Sequence, residues 1–167
     1  MFKQILVPVD FSPPSREALD YAVALCRLGG AGVVLIHVIE TIQYATPADL
    51  FGASANLGML EEEQRRVAER ELARVAARLT KRRIRTRTVI ATGSPAQTIV
   101  NAARRLKVGL IVMATHGRTG LTHLLMGSVA EKVVRTSACP VLTLRPRARA
   151  AAPGRSRGSR RRKRQRP

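Results

Sequence analysis

Gly117 and the pair Gly127-Ser128 are the residues of this 167-residue chain best suited to holding a ligand. They stand in the run Ala114 to Ser128, A-T-H-G-R-T-G-L-T-H-L-L-M-G-S, with nine residues between the two glycines. Leu110-Ile111-Val112-Met113 before the run reads as a buried strand, and Val129 to Arg135 after it as a helix. Backbone N–H groups at a strand-to-helix junction point outward, and small residues let a phosphate reach them. The same residues also suit an ordinary connection, with a glycine for the turn and Ser128 as N-cap. Glycine spacing alone does not separate the two. His116 and Arg118 flank Gly117, where either could touch a phosphate.

A second candidate is Asp10, which follows the apolar segment 3–9. Its carboxylate is a pure acceptor, suited to sugar hydroxyls or to capping the next helix. Other chemistries find little support. Cys26 and Cys139 lie in no C-x-x-C pair and beside no histidine cluster, which argues for buried thiols rather than a metal site. No Walker A lysine pattern is present, and no Ser/His/Asp, Cys/His or paired-carboxylate set stands out. His37 sits inside an apolar strand and reads as a packed structural residue, and His123 as a loop surface residue. The pattern suits a binding protein better than an efficient enzyme.

The elements that must position these residues are legible from periodicity. After the strand at 3–9, Ser12-Pro13 supplies an N-cap and a proline for the first helical position. Ala18, Tyr21, Ala22, Leu25 and Leu28 recur at helical spacing, and Gly29-Gly30 stops the helix. Val33 to Ile39 is nearly continuous apolar and β-branched, as in a central parallel strand. Residues 40–57 read as a long loop, and 58–82 as a long helix. Glu61, Glu62 and Glu63 suit that helix's start and Lys81-Arg82-Arg83 its end. Leu60, Val67, Ala68, Leu72, Val75, Ala76 and Leu79 form its apolar stripe. Glu61–Arg65 and Glu62–Arg66 pairs fit a solvated face. Residues 85–90 alternate like an edge strand, Gly93-Ser94-Pro95 opens a helix to Leu106, and 140–144 is a last strand. Strand and helix alternation predicts an α/β fold, a parallel sheet with right-handed crossovers.

Composition adds limits. Aromatics are 3% and tryptophan is absent, so the core must come from Val, Leu, Ile and Ala. No run approaches the roughly 18 apolar residues of a membrane span, and the N-terminus lacks a signal-peptide pattern, so a cytoplasmic location is expected. The net charge of +19 is uneven: residues 146–167 carry ten Lys/Arg and no acid. This segment has no apolar periodicity and is expected to be a disordered Arg-rich tail beyond a domain at 1–145. Its arginines at 155–166 could neutralise the phosphates of nucleic acid or another polyanion. Interleaved aromatics are missing, which argues against base-specific single-strand recognition.

The Ala114–Ser128 run also resembles the signature G-x-x-G-x9-G-[S/T] of ATP-binding members of the universal stress protein family. Lys3 to Ser12, Leu35-Ile36-His37-Val38 and Cys139-Pro140-Val141-Leu142 resemble that family's first, second and last strands. The resemblance implies an open five-stranded parallel sheet, order 3-2-1-4-5, with helices on both faces, a Rossmann-like adenine nucleotide alpha hydrolase-like fold. It implies ATP, with or without Mg²⁺, in a crevice beyond the strands' carboxyl ends. Pro8, Val38 and Met113 would line the adenine pocket, and Asp10 would bond the nucleoside. Ala114 and Gly117 would admit the ribose and phosphates, and Gly127, Ser128 and Val129 would hold phosphate. Any hydrolysis would be slow. A homodimer through residues 140–144 is implied too. Ala114 departs from the signature's first glycine: alanine serves if the position needs only a small side chain, and is strained if it needs φ > 0. Two alternatives therefore stand beside an ATP-regulated stress protein. One is an interaction protein of the same fold without nucleotide, and the other is polyanion binding through the tail.

Overall fold

Ile5, Leu6 and Val7 have no exposed surface, and successive strand residues point to opposite faces. Such a strand needs cover on both sides, which a central parallel strand receives. The computed structural model describes residues 2–40, 53–117 and 126–145, with backbone alone for 53–57. In it these residues form β1 (Gln4–Pro8), followed by α1 (Pro13–Gly29), β2 (Gly32–Ile39), α2 (Ala53–Lys81) and β3 (Thr86–Thr92). Then come α3 (Pro95–Arg105), β4 (Leu110–Ala114), α4 (Ser128–Thr136) and β5 (Val141–Leu144). The strands form one sheet in the order β3-β2-β1-β4-β5, and every pairing is parallel. That is the expected topology. Among the described residues no helix is long and apolar enough to cross a membrane.

Two apolar layers flank the sheet. Ile5, Val7, Val33, Leu35 and Val112 point to one face and pack under α1 and α2. Leu6, Val34, Ile36, Ile111 and Met113 point to the other, under α3 and α4. Complete burial of each such side chain stabilises the fold by about 1.5–3 kcal/mol before entropy is counted. The first helix starts as the sequence predicts. Ser12 is in extended conformation, its Oγ accepts the Ser15 N–H at 3.3 Å, and Pro13 takes the first turn. Gly30 ends it at φ 66°, a conformation that costs a side chain but not glycine.

The structure corrects several expectations. In α1 the buried stripe is Ala18, Leu19, Ala22, Val23 and Cys26, while Tyr21 and Leu28 face solvent. The stripe lies one residue further along than expected, because the sheet-facing side runs through 19, 23 and 26. Helix α2 begins at Ala53, inside the expected loop, so Glu61, Glu62 and Glu63 lie two turns in and its first turn has no acid. Its buried seam is Ala68, Leu72, Val75 and Leu79; Leu60 and Val67 are exposed. Val67 lies 100° round the helix from Ala68, which turns it away from that seam. The expected Glu61–Arg65 and Glu62–Arg66 pairs are present at 4.0 and 3.2 Å. Serine 128 is not the cap of α4: Gly127 is, and Ser128 is the first helical residue. Arg118, His123, residues 41–52 and the segment 146–167 lie outside the described residues.

Candidate functional site

Strands β1 and β4 are neighbours in the sheet but far apart in the chain, and strand order reverses between them. Their pairing covers only Ile5–Leu110 and Leu6–Ile111. On its other side β1 stays paired with β2 as far as Pro8–Ile36. The sheet therefore opens between β1 and β4 towards their carboxyl ends, where open α/β sheets bind ligands. Pro8 ends β1 at this opening, Met113 is the last residue but one of β4, and half-buried Val38 lies towards the end of β2.

Asp10 stands at the mouth, held by its own turn. Its Oδ1 accepts the Ser12 N–H at 3.0 Å and the Ser12 hydroxyl at 2.6 Å. This is the local side-chain turn that Asp favours. Ser12, not Asp10, caps α1. Burial works to raise the Asp10 pKa, but the hydrogen bonds from Ser12 and Ser15 outweigh it and hold the carboxyl below its usual range. Asp10 is thus a fixed, ionised acceptor. Its other oxygen touches the loop after β4: a Cβ built on Gly117 would lie 2.7 Å from Asp10 Oδ2. A side chain there would force the Asp10 carboxylate or the loop to shift. The backbone of Gly117 is not in the left-handed region, so close approach and not backbone freedom explains this glycine.

Gly127 follows the same rule. Its N–H donates to the Thr115 carbonyl at 2.8 Å, and a Cβ would meet that oxygen at 2.8 Å. Because the Gly127 N–H is engaged, Ser128 and Val129 supply the leading N–H groups of α4, and among the described residues no side chain caps this end. The side chain of Ser128 is exposed and that of Val129 is half-buried. Ala114 ends β4 in ordinary strand conformation, with no positive φ. Alanine is unstrained there. His116 is half-buried, with Nδ1 2.9 Å from Thr115 Oγ1.

Sequence reasoning missed two residues. Thr115 ties the site together: its N–H and hydroxyl donate to Leu144 O at 2.9 and 3.3 Å, joining β4 to β5, while its carbonyl receives Gly127. Its place between the small residues of the motif was the available signal. Phe11 has φ 64°, a rare conformation for a bulky residue. Its ring stacks on His37 at 4.7 Å between centroids, and His37 Nδ1 donates to Val9 O at 2.7 Å. His37 is therefore half-buried and braces the Asp10 turn, rather than being simply packed in the sheet. Nothing in the sequence signals the Phe11 backbone. Elsewhere, Cys26 is buried, with burial pushing its thiol pKa up, and Cys139 is half-buried; both are free. Among the described residues no cluster of three or more His, Cys, Asp or Glu could hold a metal ion.

Comparison with known proteins agrees with this geometry. The model of the universal stress protein family matches residues 1–145. Universal stress protein MJ0531 of Methanocaldococcus jannaschii is 33% identical over 146 residues, spanning 87% of this chain and 83% of that protein. MJ0577 of the same organism is 30% identical over 156 residues. Its solved structure superposes with a TM-score of 0.77 at 29% identity, covering 89% of this chain and 99% of that one. A universal stress protein from Archaeoglobus fulgidus, solved in complex with dAMP, shares the fold at 21% identity and a TM-score of 0.58, over 84% of this chain and 95% of that one.

Proposed function

Because the chain belongs to the universal stress protein family, we propose that it binds ATP in the opening between β1 and β4, as a regulatory ligand in a stress response. The observation that carries this reading is the contact of Asp10 with Gly117 at the mouth of that opening. It puts an ionised acceptor beside the start of a small-residue loop, with an uncapped helix start at the loop's other end. In this reading Pro8, Val38 and Met113 line the adenine side, and Asp10 accepts hydrogen bonds from ribose hydroxyls. Ala114 and Gly117 keep the floor clear, and the N–H groups of Ser128 and Val129 meet phosphate. Gly127 contributes close approach, and His116 and Arg118 stand beside the phosphates. Mg²⁺ would arrive on the phosphates of ATP. The unstrained backbone at Ala114 is compatible with this reading. We also assign the edge strand β5, with half-buried Val141, Leu142 and Leu144, as the homodimer seam.

Calorimetric titration of the full chain with ATP and Mg²⁺ tests the reading, at salt high enough to screen loose arginines. One saturable site per chain is expected, lost in a folded Gly117→Val. Inorganic triphosphate should not compete at equal concentration. Absence of binding at millimolar ATP, or equal competition by triphosphate, would reject the crevice.

A further inference from the structure

The charge of α2 is divided by position. Up to Glu69 its glutamates alternate with arginines, and Arg65 and Arg66 reach acids one turn back. Over residues 70–83 the balance changes to six Lys/Arg against one acid, Glu71. Arg70, Arg74 and Arg78 follow at intervals of four, so they stack along one side of the helix, and Lys81 continues the row. All four are exposed. The groove between α2 and α1, about 760 Å³, takes Arg74, Arg78, Lys81 and Arg82 from α2 and Arg16 from α1 into its walls, and Arg70 stands one turn before Arg74, beyond that lining. Among the described residues two acids answer the row there: Glu71 at 2.6 Å from Arg74, and Asp20 at 4.0 Å from Arg82. Like charges at i, i+4 are unfavourable to an isolated helix. Arg78 and Lys81 in the last turn complement the helix dipole, but Arg70 and Arg74 lie beyond its reach, so the stability of α2 does not explain the whole row.

We infer that the cationic flank of α2, from Arg70 to Arg82, is a docking strip for the phosphate backbone of a nucleic-acid duplex. The row is about 18 Å long at 1.5 Å per residue, close to five base steps at 3.4 Å. Rigid helical spacing suits a regular row of phosphates. No aromatic residue lies between Arg70 and Arg82, so bases have nothing to stack on and contact stays with the backbone. The strip is on the α1/α2 side of the sheet, and its residues are distant in sequence from the Arg-rich segment 146–167. It does not depend on the nucleotide reading.

The test is fluorescence anisotropy of a labelled 20-base-pair duplex with the full chain across a salt series. Each phosphate contact adds about 0.9 to the slope of log affinity against log salt. Arg70→Gln/Arg74→Gln/Arg78→Gln should therefore lower the slope by about 3. The control Arg104→Gln/Arg105→Gln/Lys107→Gln, at the end of α3 on the opposite face, should leave it unchanged. Arginine footprinting with phenylglyoxal should show Arg74 and Arg78 protected by duplex. An unchanged slope in the first variant, an equal fall in the control, or protection confined to arginines beyond residue 146 would overturn the assignment. So would a poly-glutamate of equal charge binding as tightly, which would mark the strip as a surface for acidic proteins.

Discussion

The contact between Gly117 and Asp10 can be tested as a pair. In Gly117→Ala the new methyl lies 2.7 Å from Asp10 Oδ2, closer than real Cβ contacts occur. Either the loop after β4 shifts or the Asp10 carboxylate leaves its bonds to Ser12. Overpacking of this kind costs about 1–3 kcal/mol. The backbone of Gly117 is outside the left-handed region, so alanine brings no conformational penalty of its own. It restricts the unfolded chain, an effect worth about 0.4–1 kcal/mol in favour of folding when nothing clashes. The sign of the substitution should therefore reverse with its neighbour. In the native background Gly117→Ala should destabilise, and in Asp10→Ala it should be neutral or stabilising. Asp10→Ala alone removes charge-assisted bonds to Ser12 and should cost about 1.5–3 kcal/mol. The coupling in the double-mutant cycle should then be about 1–3 kcal/mol. The chain has no tryptophan, so urea unfolding is best followed by circular dichroism at the helix band, with midpoints compared at constant m. Additive effects would refute the reasoning, because they would mean that the carboxylate does not occupy the space beside Gly117.

Two further outcomes follow from the same site. Asp10 has a lowered pKa when folded, so it contributes stability above its unfolded value near 3.9, and that contribution fades as pH falls through the folded value. The stability difference between the native chain and Asp10→Asn should hold constant above about pH 5 and shrink below the unfolded pKa; a constant difference down to pH 2 would contradict it. Restoring the signature's first glycine with Ala114→Gly should lower stability by about 0.5–1 kcal/mol, since the residue sits in a strand with ordinary φ, and should leave ATP affinity unchanged. A tenfold gain in affinity would show that Ala114 is not a neutral replacement.

Local pattern made much of the molecule legible. Ser12-Pro13 and Gly29-Gly30 mark the ends of α1 because caps and stops are read from neighbouring residues. Val33 to Ile39 announces a central strand because burial on both faces requires an unbroken apolar run. The alternation at 85–90 announces an edge, and β3 is one. Failures came where a distant partner decides. Periodicity allowed two neighbouring stripes on α1, and packing against the sheet selected the one through Leu19, Val23 and Cys26. The start of α2 at Ala53 lies ahead of the acids expected to mark it, which stand two turns further on.

The candidate site divides along the same line. Residue types and their spacing are one-dimensional, and from them came the β-α-β order, the small-residue loop at 114–128 and Asp10 as an acceptor. Why the loop needs its glycines is a three-dimensional matter. Gly117 is small because a carboxylate from the turn after β1, over a hundred positions earlier, occupies the space where a side chain would go. Gly127 is small because the Thr115 carbonyl approaches it. Ala114 is acceptable because β4 extends through it. The strained Phe11 is held by a stack on His37 from the neighbouring strand. Sequence carries the short-range terms, caps, periods and charge; contacts between residues brought together only by sheet pairing appear when the strands are laid side by side.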